Sequence, residues 1–295
     1  YKIVNLLLNK SIFNENIVEN ILDYYWKIVD NKKLILLDWI NINNLDWYNL
    51  SQNPNAIDLL LENKNKINWL SIMRNPNAIK LFNNTNINWS ILSENPNAID
   101  ILKKNIDKIH WFGLSRNPNA IDLIVEHYDK IDWFELSINK NAIFLLERNT
   151  EKIDWELLSL NENAIELLKD KIQTERFIIR SNYSAEYLIN WKYLSSNKNA
   201  IELLTNNKNN INWSWLSKNP NAIELLKKNK NKINWSWLSL NENAIELLKE
   251  NKDNINWLNI SKNPGIFRFE IKQLLKKQNK PVYGTKKVMC ERLLK

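Results

Sequence analysis

The chain has 295 residues, of which 53 are asparagine, 14 are tryptophan and only three are glycine. Three glycines are too few for phosphate-binding loops or for the turns of a large β-sandwich, so nucleotide-binding α/β enzymes and all-β folds are disfavoured. One cysteine excludes a disulfide framework and two histidines exclude a His/Cys metal cluster, so no cofactor or metal is predicted and an intracellular, reducing compartment is expected. The apolar stretches are far shorter than the roughly 20 residues that cross a membrane, so no membrane insertion is predicted.

Residues 1–46 have a helical apolar pattern but lack the repeat found further along the chain. Ile17, Ile21 and Leu22 precede an aromatic cluster at Tyr24 and Trp26. Because a stack of repeats needs covered ends, we interpret this segment as an N-terminal helical cap. The alternative is the remnant of a lost upstream domain. Since the chain begins at Tyr1 rather than at a methionine, we expect further residues upstream.

A repeat of 22 residues organises residues 47–261. A tryptophan recurs at a spacing of 22 residues, with one spacing of 20 and one of 36. The phased tryptophans are Trp47, Trp69, Trp89, Trp111, Trp133, Trp155, Trp191, Trp213, Trp235 and Trp257. A lone unit of this size buries too little surface to fold, so the units must stack on one another. We therefore predict an all-α fold, a right- or left-handed α-solenoid of about ten two-helix repeats.

Each unit is predicted to contain two short helices. In the copy that begins at Trp213, Asn212 is a suitable N-cap for the first helix. Asn219 then caps a second helix with Pro220 at its first position, where no amide donor is needed. The alternative places the cap at the next asparagine, with Glu224 closing a capping box. Both interpretations predict a helix.

The ends of the units are also marked in the sequence. An asparagine lies sixteen residues after the tryptophan in six copies, and asparagine is second to glycine at the left-handed position that ends a helix. These asparagines are Asn63, Asn105, Asn149, Asn207, Asn229 and Asn251. The spacing of 36 residues decomposes into 22 and 14, with Phe177 in the place of a tryptophan. This decomposition predicts one shortened unit near 177–190.

The phased tryptophans are predicted to form the buried seam of the array. An aromatic residue held at one phase among aliphatic residues is typical of a solenoid interior. The alternative is ligand stacking, because aromatic platforms bind single-stranded bases. Trp215 and Trp237 lie two residues after a phased tryptophan, where most other copies carry small or polar residues. Together with Tyr193 they are the candidate contact stripe for a protein partner, and coverage by the adjacent helix is the alternative.

The remaining candidates for chemistry are explained by structural roles. An acid recurs eleven residues after the tryptophan in seven copies, where a carboxylate favours the early part of a helix; a metal or acid-base role is the alternative. His110 and His127 are single residues in adjacent copies, and Cys290 has no partner histidine nearby in sequence. We find no nucleophile-base pair and no phosphate loop. The sequence therefore predicts a protein that is not an enzyme and has no small-molecule substrate.

The C-terminal segment carries the net charge of the chain. Residues 262–295 contain ten basic and two acidic residues, and the whole chain has a net charge of +8, so residues 1–261 are balanced. A local cluster of basic residues is the electrostatic footprint of a nucleic-acid-binding segment. The alternative is a helical cap with a solvated lysine face.

The same segment resembles the SAP motif, a two-helix module of many DNA-associated proteins. Residues 271–294 read IKQLLKKQNKPVYGTKKVMCERLL, in which an apolar helix leads through a proline-containing link into a Gly-Thr-Lys turn and a second helix. Lys280 and Cys290 depart from the family pattern, which usually has leucine and a larger aliphatic residue there. A helix N-terminus at Thr285 also presents amide donors to a phosphate. The predicted nucleic-acid contacts are Lys276, Lys277, Lys280, Gly284, Thr285, Lys286, Lys287 and Arg292.

The repeat itself resembles a known group of sequences. Copies of Asn-Pro-Asn-Ala-Ile that follow Ile-Asn-Trp look like short repeats in proteins of amoeba-infecting giant DNA viruses, and the resemblance covers roughly residues 45–265. It implies a scaffold or a virion component rather than a catalyst. It also implies a location in the host cytoplasm, in the viral factory or in the virion.

Three functions follow from these features. We predict a non-enzymatic interaction scaffold that binds protein partners along the solenoid and is tethered to DNA by its basic C-terminal module. The first alternative is a structural virion or capsid-assembly protein whose tail docks to a neighbour. The second is an adaptor that recruits a host protein along Trp215 and Trp237.

Overall fold

A computed structural model of the chain describes residues 34–82, 87–180 and 189–269. The chain divides into two compact bodies. The repeat body comprises residues 38–266, and the terminal body comprises residues 1–37 and 267–295. In the described part of the terminal body, strands Leu34–Leu36 and Phe267–Phe269 pair antiparallel, with Leu36 opposite Phe267.

Short helices make up the repeat body, which confirms the prediction of an all-α repeat fold. We number its units 1 to 10 in the order of their phased tryptophans. The first helices are Trp47–Gln52, Trp89–Glu94, Trp111–Arg116, Trp133–Leu136, Trp155–Leu158, Trp191–Ser196, Trp213–Leu216, Trp235–Leu238 and Trp257–Lys262, with a 3-10 helix at Ser71–Arg74 in unit 2. The second helices are Ile57–Glu62, Ile99–Lys103, Ile121–Glu126, Ile143–Glu147, Ile165–Arg180, Ile201–Thr205, Ile223–Lys228 and Ile245–Glu250, with 3-10 helices at Pro76–Leu81 and Pro264–Ile266. Further 3-10 turns lie at Ile42–Asn44, Lys64–Lys66, Ile106–Lys108, Tyr128–Lys130, Thr150–Lys152, Lys208–Asn210, Pro220–Ala222, Lys230–Lys232 and Lys252–Asn254.

The helix starts largely follow the sequence prediction. The side chain of Asn212 accepts a hydrogen bond from the backbone N–H of Trp215 at 3.1 Å, as an N-cap does. Asn219 caps in the same way, but the segment it opens is the 3-10 turn at Pro220, and the second α-helix begins at Ile223. The turn therefore delays the helix by three residues.

The helix ends differ from the prediction. Asn63 has φ −127° and ψ 51°, and Asn229 has φ −131° and ψ 49°, so these asparagines are not left-handed. Instead, the side-chain amide of Asn63 donates to the carbonyl of Leu59 at 2.9 Å. The asparagine thus ends the helix by satisfying one of its free carbonyls, which needs no positive φ.

The dry core consists of leucine and alanine rather than tryptophan. In units 1 and 3 to 9, the residues three, nine and thirteen positions after the tryptophan are almost completely buried, as at Leu216, Ala222 and Leu226. The phased tryptophans are half-buried, apart from the exposed Trp69. The prediction that the indoles form the buried seam is therefore wrong.

The position of the tryptophan explains its exposure. Trp213 is the first residue of its helix, where one face of its ring is covered by a lysine from the connector of the same unit. The ammonium nitrogen of Lys232 lies 4.4 Å from the ring centroid of Trp213, and Lys66 lies 4.7 Å from Trp47 in the same way. A cation over an aromatic face stabilises the ring while leaving it in contact with water.

A ladder of buried asparagines joins the units. The asparagine six positions after each tryptophan donates to two backbone carbonyls of the preceding unit, as Asn139 does to Ser115 and Asn117, both at 2.9 Å. Its side-chain oxygen accepts the N–H of Asn141 in its own turn. The side chain therefore satisfies the carbonyl of Ser115, which the short helix leaves unpaired, and shares the carbonyl of Asn117 with the N–H of Ala120. The ladder consists of Asn53, Asn75, Asn95, Asn117, Asn139, Asn161, Asn197, Asn219, Asn241 and Asn263.

The first and last units continue the same ladder, so the repeat body is a closed ring. Asn53 in unit 1 donates to the carbonyls of Ser261 and Asn263 in unit 10, at 3.0 and 2.9 Å. The N–H of Asp46 donates to the hydroxyl of Ser261 at 2.8 Å, the bond that links a serine to the following unit elsewhere in the ring. An open solenoid with capped ends was expected, but the two ends of the array cover each other. Residues 38–46 belong to the repeat body and residues 1–33 lie outside the described residues, so the N-terminal cap remains a prediction.

The spacing of 36 residues is an insertion and not an extra unit. Phe177 lies within the helix Ile165–Arg180, which is the lengthened second helix of unit 6. Asn197 of unit 7 donates to the carbonyls of Ser159 and Asn161 of unit 6, at 3.2 and 2.9 Å. Units 6 and 7 are therefore direct neighbours, and the shortened unit predicted near 177–190 does not stand between them.

Candidate functional site

The first helices lie on the inner side of the ring. The principal contacts between neighbouring units join first helices and the turns that follow them, whereas second helices contact mainly the connector of their own unit. In a closed ring, the elements nearest the axis come closest to their equivalents in the next unit. The leucine at position three of each first helix is buried, so the residues at positions one and five, on the opposite side of that helix, face the axis. We call these two sets the inner rows.

The first inner row is divided into an apolar half and a polar half. Five of its residues are large, apolar and 43 to 55% exposed. This apolar arc consists of Leu258, Tyr48, Leu70, Phe112 and Phe134, in ring order. Ser90 interrupts it once, and the opposite half of the row is polar, with Glu156, Lys192, Ser214 and Ser236. Leu258 and Tyr48 are neighbours only because the ring closes.

The second inner row carries more positive than negative charge. Its cations are Arg74, Arg116, Lys218 and Lys262, and its one acid is Glu94. The guanidinium of Arg116 lies 2.7 Å from the carboxylate of Glu135, whose side chain is almost fully buried in the next unit. Burial raises the pKa of the Glu135 carboxyl above its ordinary value of 4.5, against the lowering effect of Arg116.

The raised pKa of Glu135 predicts a pH dependence of stability. A carboxyl group with a higher pKa in the fold than in the unfolded chain stabilises most below pH 4.5, and this contribution is lost as the pH rises through the raised pKa. We therefore expect the free energy of unfolding of Glu135→Gln, relative to the unchanged protein, to increase between about pH 4 and about pH 7. Urea titrations at both pH values measure it. A relative decrease would mean that the ion pair with Arg116 outweighs burial.

The predicted contact stripe forms a stack of rings between units. The ring centroids of Tyr193 and Trp215 are 5.2 Å apart, and those of Trp215 and Trp237 are 5.3 Å apart. The ammonium nitrogen of Lys218 lies 4.0 Å from the Trp215 centroid and 5.1 Å from that of Trp237, and burial lowers the pKa of Lys218. The three rings are half-buried against one another, so their exposed edges are smaller than a free stripe would offer. A role in partner binding stays a prediction.

The other sequence candidates are placed as follows. The ring nitrogen of His110 accepts the N–H of Gly113 at 3.4 Å as a helix cap, and the ring of His127 packs 5.0 Å from that of Trp111. Among the described residues, no group of three or more His, Cys, Asp or Glu side chains is arranged to hold a metal ion. The predicted nucleic-acid contacts between Lys276 and Arg292, and Cys290, lie outside the described residues.

Comparisons of the chain with protein-family models, with curated proteins and with solved structures find no match. Within the described parts of the chain, no helix combines the length and the apolar character that crossing a membrane requires.

Sequence reasoning missed the apolar arc and the ladder. The arc was missed because its residues stand about one repeat apart in the sequence, and Leu258 joins the others only in the closed ring. The ladder had a signal: the asparagine at position six is present in all ten units, while proline at position seven is not.

Proposed function

We propose that the protein is a non-enzymatic interaction scaffold, in which the ring binds a protein partner and the basic segment 262–295 attaches it to nucleic acid. The observation that carries the first half is the apolar arc. It places a large exposed apolar side chain in five of six consecutive units, and large exposed apolar patches with aromatic side chains mark interaction sites.

The polar groups of the ring support the same function. The recurring serine and asparagine side chains are engaged in hydrogen bonds within and between units, as Ser115, Asn117 and Asn139 are. They are therefore occupied in holding the fold together. The inner rows, in contrast, are positions at which the residue type differs between units, and repeat scaffolds use such variable positions as binding surfaces.

The arc can be tested with paired variants of exposed phenylalanines. Phe112→Ser combined with Phe134→Ser changes the arc, and Phe144→Ser changes a similarly exposed ring on a second helix. We expect the proteins that co-purify with the full chain to be lost with the arc variant and kept with the Phe144 variant, since only the arc variant removes interface anchors. Quantitative mass spectrometry of the purified complexes measures this. An unchanged set of partners with the arc variant would contradict the proposal.

The attachment to nucleic acid rests on charge and is tested by reversing it. In the full chain, Lys286→Glu with Lys287→Glu is expected to weaken duplex DNA binding by about tenfold or more and to flatten its salt dependence, because phosphate contacts release counterions. Lys228→Glu with Lys249→Glu makes the same change of charge on exposed second helices and serves as the control. Gel shifts at several salt concentrations report both. Equal effects of the two pairs would reject a specific role of the tail.

The structure also fixes where the tail can be removed. Asn263 belongs to the ladder and Ile266 is fully buried in the repeat body, so a truncation must not begin at residue 262. A chain that ends after Phe269 retains both.

A further inference from the structure

Closure of the ring brings residues from opposite ends of the repeat body side by side. Each unit places one residue of the first inner row and one of the second on the same helical face, since they are four positions apart. The closure patch consists of Leu258 and Lys262 in unit 10, Tyr48 and Gln52 in unit 1, and Leu70 and Arg74 in unit 2.

The asparagine ladder places these pairs on successive rungs. Lys262 lies between the two residues whose carbonyls accept the side-chain amide of Asn53. Gln52 lies between the two residues whose carbonyls accept the side-chain amide of Asn75, at 3.1 and 2.7 Å. Arg74 immediately precedes Asn75. Lys262, Gln52 and Arg74 therefore occupy equivalent positions in three neighbouring units, each beside one rung of the asparagine ladder.

The patch holds two cations without an anion. Among the described residues, neither Lys262 nor Arg74 forms an ion pair, and Glu94 on the next rung does not reach Arg74. Burial lowers the pKa of Lys262, and the positive charge of Arg74 lowers it further. Gln52 lies between them and is itself uncharged. A carboxylate there would relieve the repulsion and accept these donors.

An exposed apolar row runs beside the cations. Leu258, Tyr48 and Leu70 are each about half exposed, one on each of the same three rungs. Two of the three side chains are aliphatic and offer no flat ring for base stacking, so a peptide suits this row better than a single-stranded nucleic acid.

We propose that the closure patch binds an acidic segment of a partner protein, with a carboxylate between Lys262 and Arg74 and an adjacent apolar side chain against Leu258, Tyr48 and Leu70. The proposal rests on the scaffold function above and specifies the chemistry of its partner. The site exists only in the closed ring, because its residues come from units 10, 1 and 2.

Binding of a defined peptide to the full chain tests the proposal. The probe is a short fluorescent peptide in which glutamate alternates with leucine, measured by anisotropy. Arg74→Gln with Lys262→Gln is expected to weaken binding by about tenfold or more, because it removes the charged partners of a carboxylate. Lys228→Gln with Lys249→Gln removes the same charge from the outer helices and should leave binding unchanged.

The apolar half of the patch is tested in the same assay. Leu70→Ser with Leu258→Ser should also weaken peptide binding. A peptide with glutamine in place of glutamate should bind the unchanged protein weakly.

A stability measurement separates a binding role from a structural one. Since Arg74 and Lys262 repel each other, Arg74→Gln should not lower the free energy of unfolding, and it should raise the pKa of Lys262 measured by NMR. A clear loss of stability would assign Arg74 to the fold and overturn the proposal.

The other outcomes are equally decisive. Absence of peptide binding, or equal binding by the patch and control variants, overturns the proposal. So does tighter binding of oligothymidylate that the patch variant abolishes, which would assign the patch to nucleic acid. Absence of peptide binding at this patch would not contradict the proposed attachment to DNA, because that attachment is tested separately with the variant of Lys286 and Lys287.

Discussion

Asn53→Ala is expected to lower the free energy of unfolding by about 3 to 5 kcal/mol, because it leaves one buried carbonyl without a donor, takes one of two donors from a second carbonyl and removes a turn-capping acceptor. The carbonyls are those of Ser261 and Asn263, more than 200 residues away in the chain. Asn139→Ala removes the equivalent bonds in the middle of the array and should cost the same. Urea unfolding of both variants measures the comparison.

The comparison decides whether the ring is closed. In an open array, Asn53 would lie at a free end and its replacement would cost little, whereas Asn139 would keep its full effect. Asn141→Ala is the control, because Asn141 is exposed and donates to one carbonyl, that of Pro118 at 2.8 Å. It should cost about 1 kcal/mol, the usual net value of one hydrogen bond.

Leu216→Ala is expected to destabilise the fold more than Trp213→Ala does, although tryptophan is the larger residue. Leu216 is completely buried, and truncating such a leucine costs about 3 to 5 kcal/mol in transfer free energy and cavity formation. Trp213 is half-buried beneath Lys232, so its loss should cost about 2 kcal/mol. Denaturant unfolding measures both.

The neighbouring unit provides the control for this order. Leu238 and Trp235 occupy the same positions in unit 9 and should give the same ranking. A tryptophan variant that is as unstable as the leucine variant in both units would contradict the leucine and alanine core and support an indole seam.

The sequence was sufficient for features that depend on neighbouring residues. The 22-residue period and the capping asparagine at Asn212 predicted helix pairs, because capping and helical spacing act over a few residues. The same reasoning failed at Asn63, where a side-chain bond to Leu59 replaces the expected left-handed backbone. A left-handed backbone at Asn63 and a bond from its side chain would both satisfy the carbonyl of Leu59. The residue type asparagine is compatible with either, so the sequence does not distinguish them.

Features that depend on distant residues were not predicted. The sequence shows that units stack, but the angle between neighbours decides whether unit 10 meets unit 1, and that angle depends on packing. One clue was present: Leu50 and Ile260 are as apolar as their equivalents in the middle of the chain. Terminal repeats of an open array usually carry a polar outer face. The closure patch, and the place of Leu258 in the apolar arc, follow from the closure and were missed with it.

A circle of repeats constrains how such a protein can change. An open array gains or loses a copy by growing or shrinking at one end, and it frays from that end when heated. In the closed ring, an eleventh copy would require a smaller rotation between every two neighbouring units. The number of copies and the curvature of the ring therefore cannot change independently. Melting any single copy exposes both of its neighbours at once. The ring should therefore come apart in one concerted step, and gene duplication that alters its size must also redesign every junction.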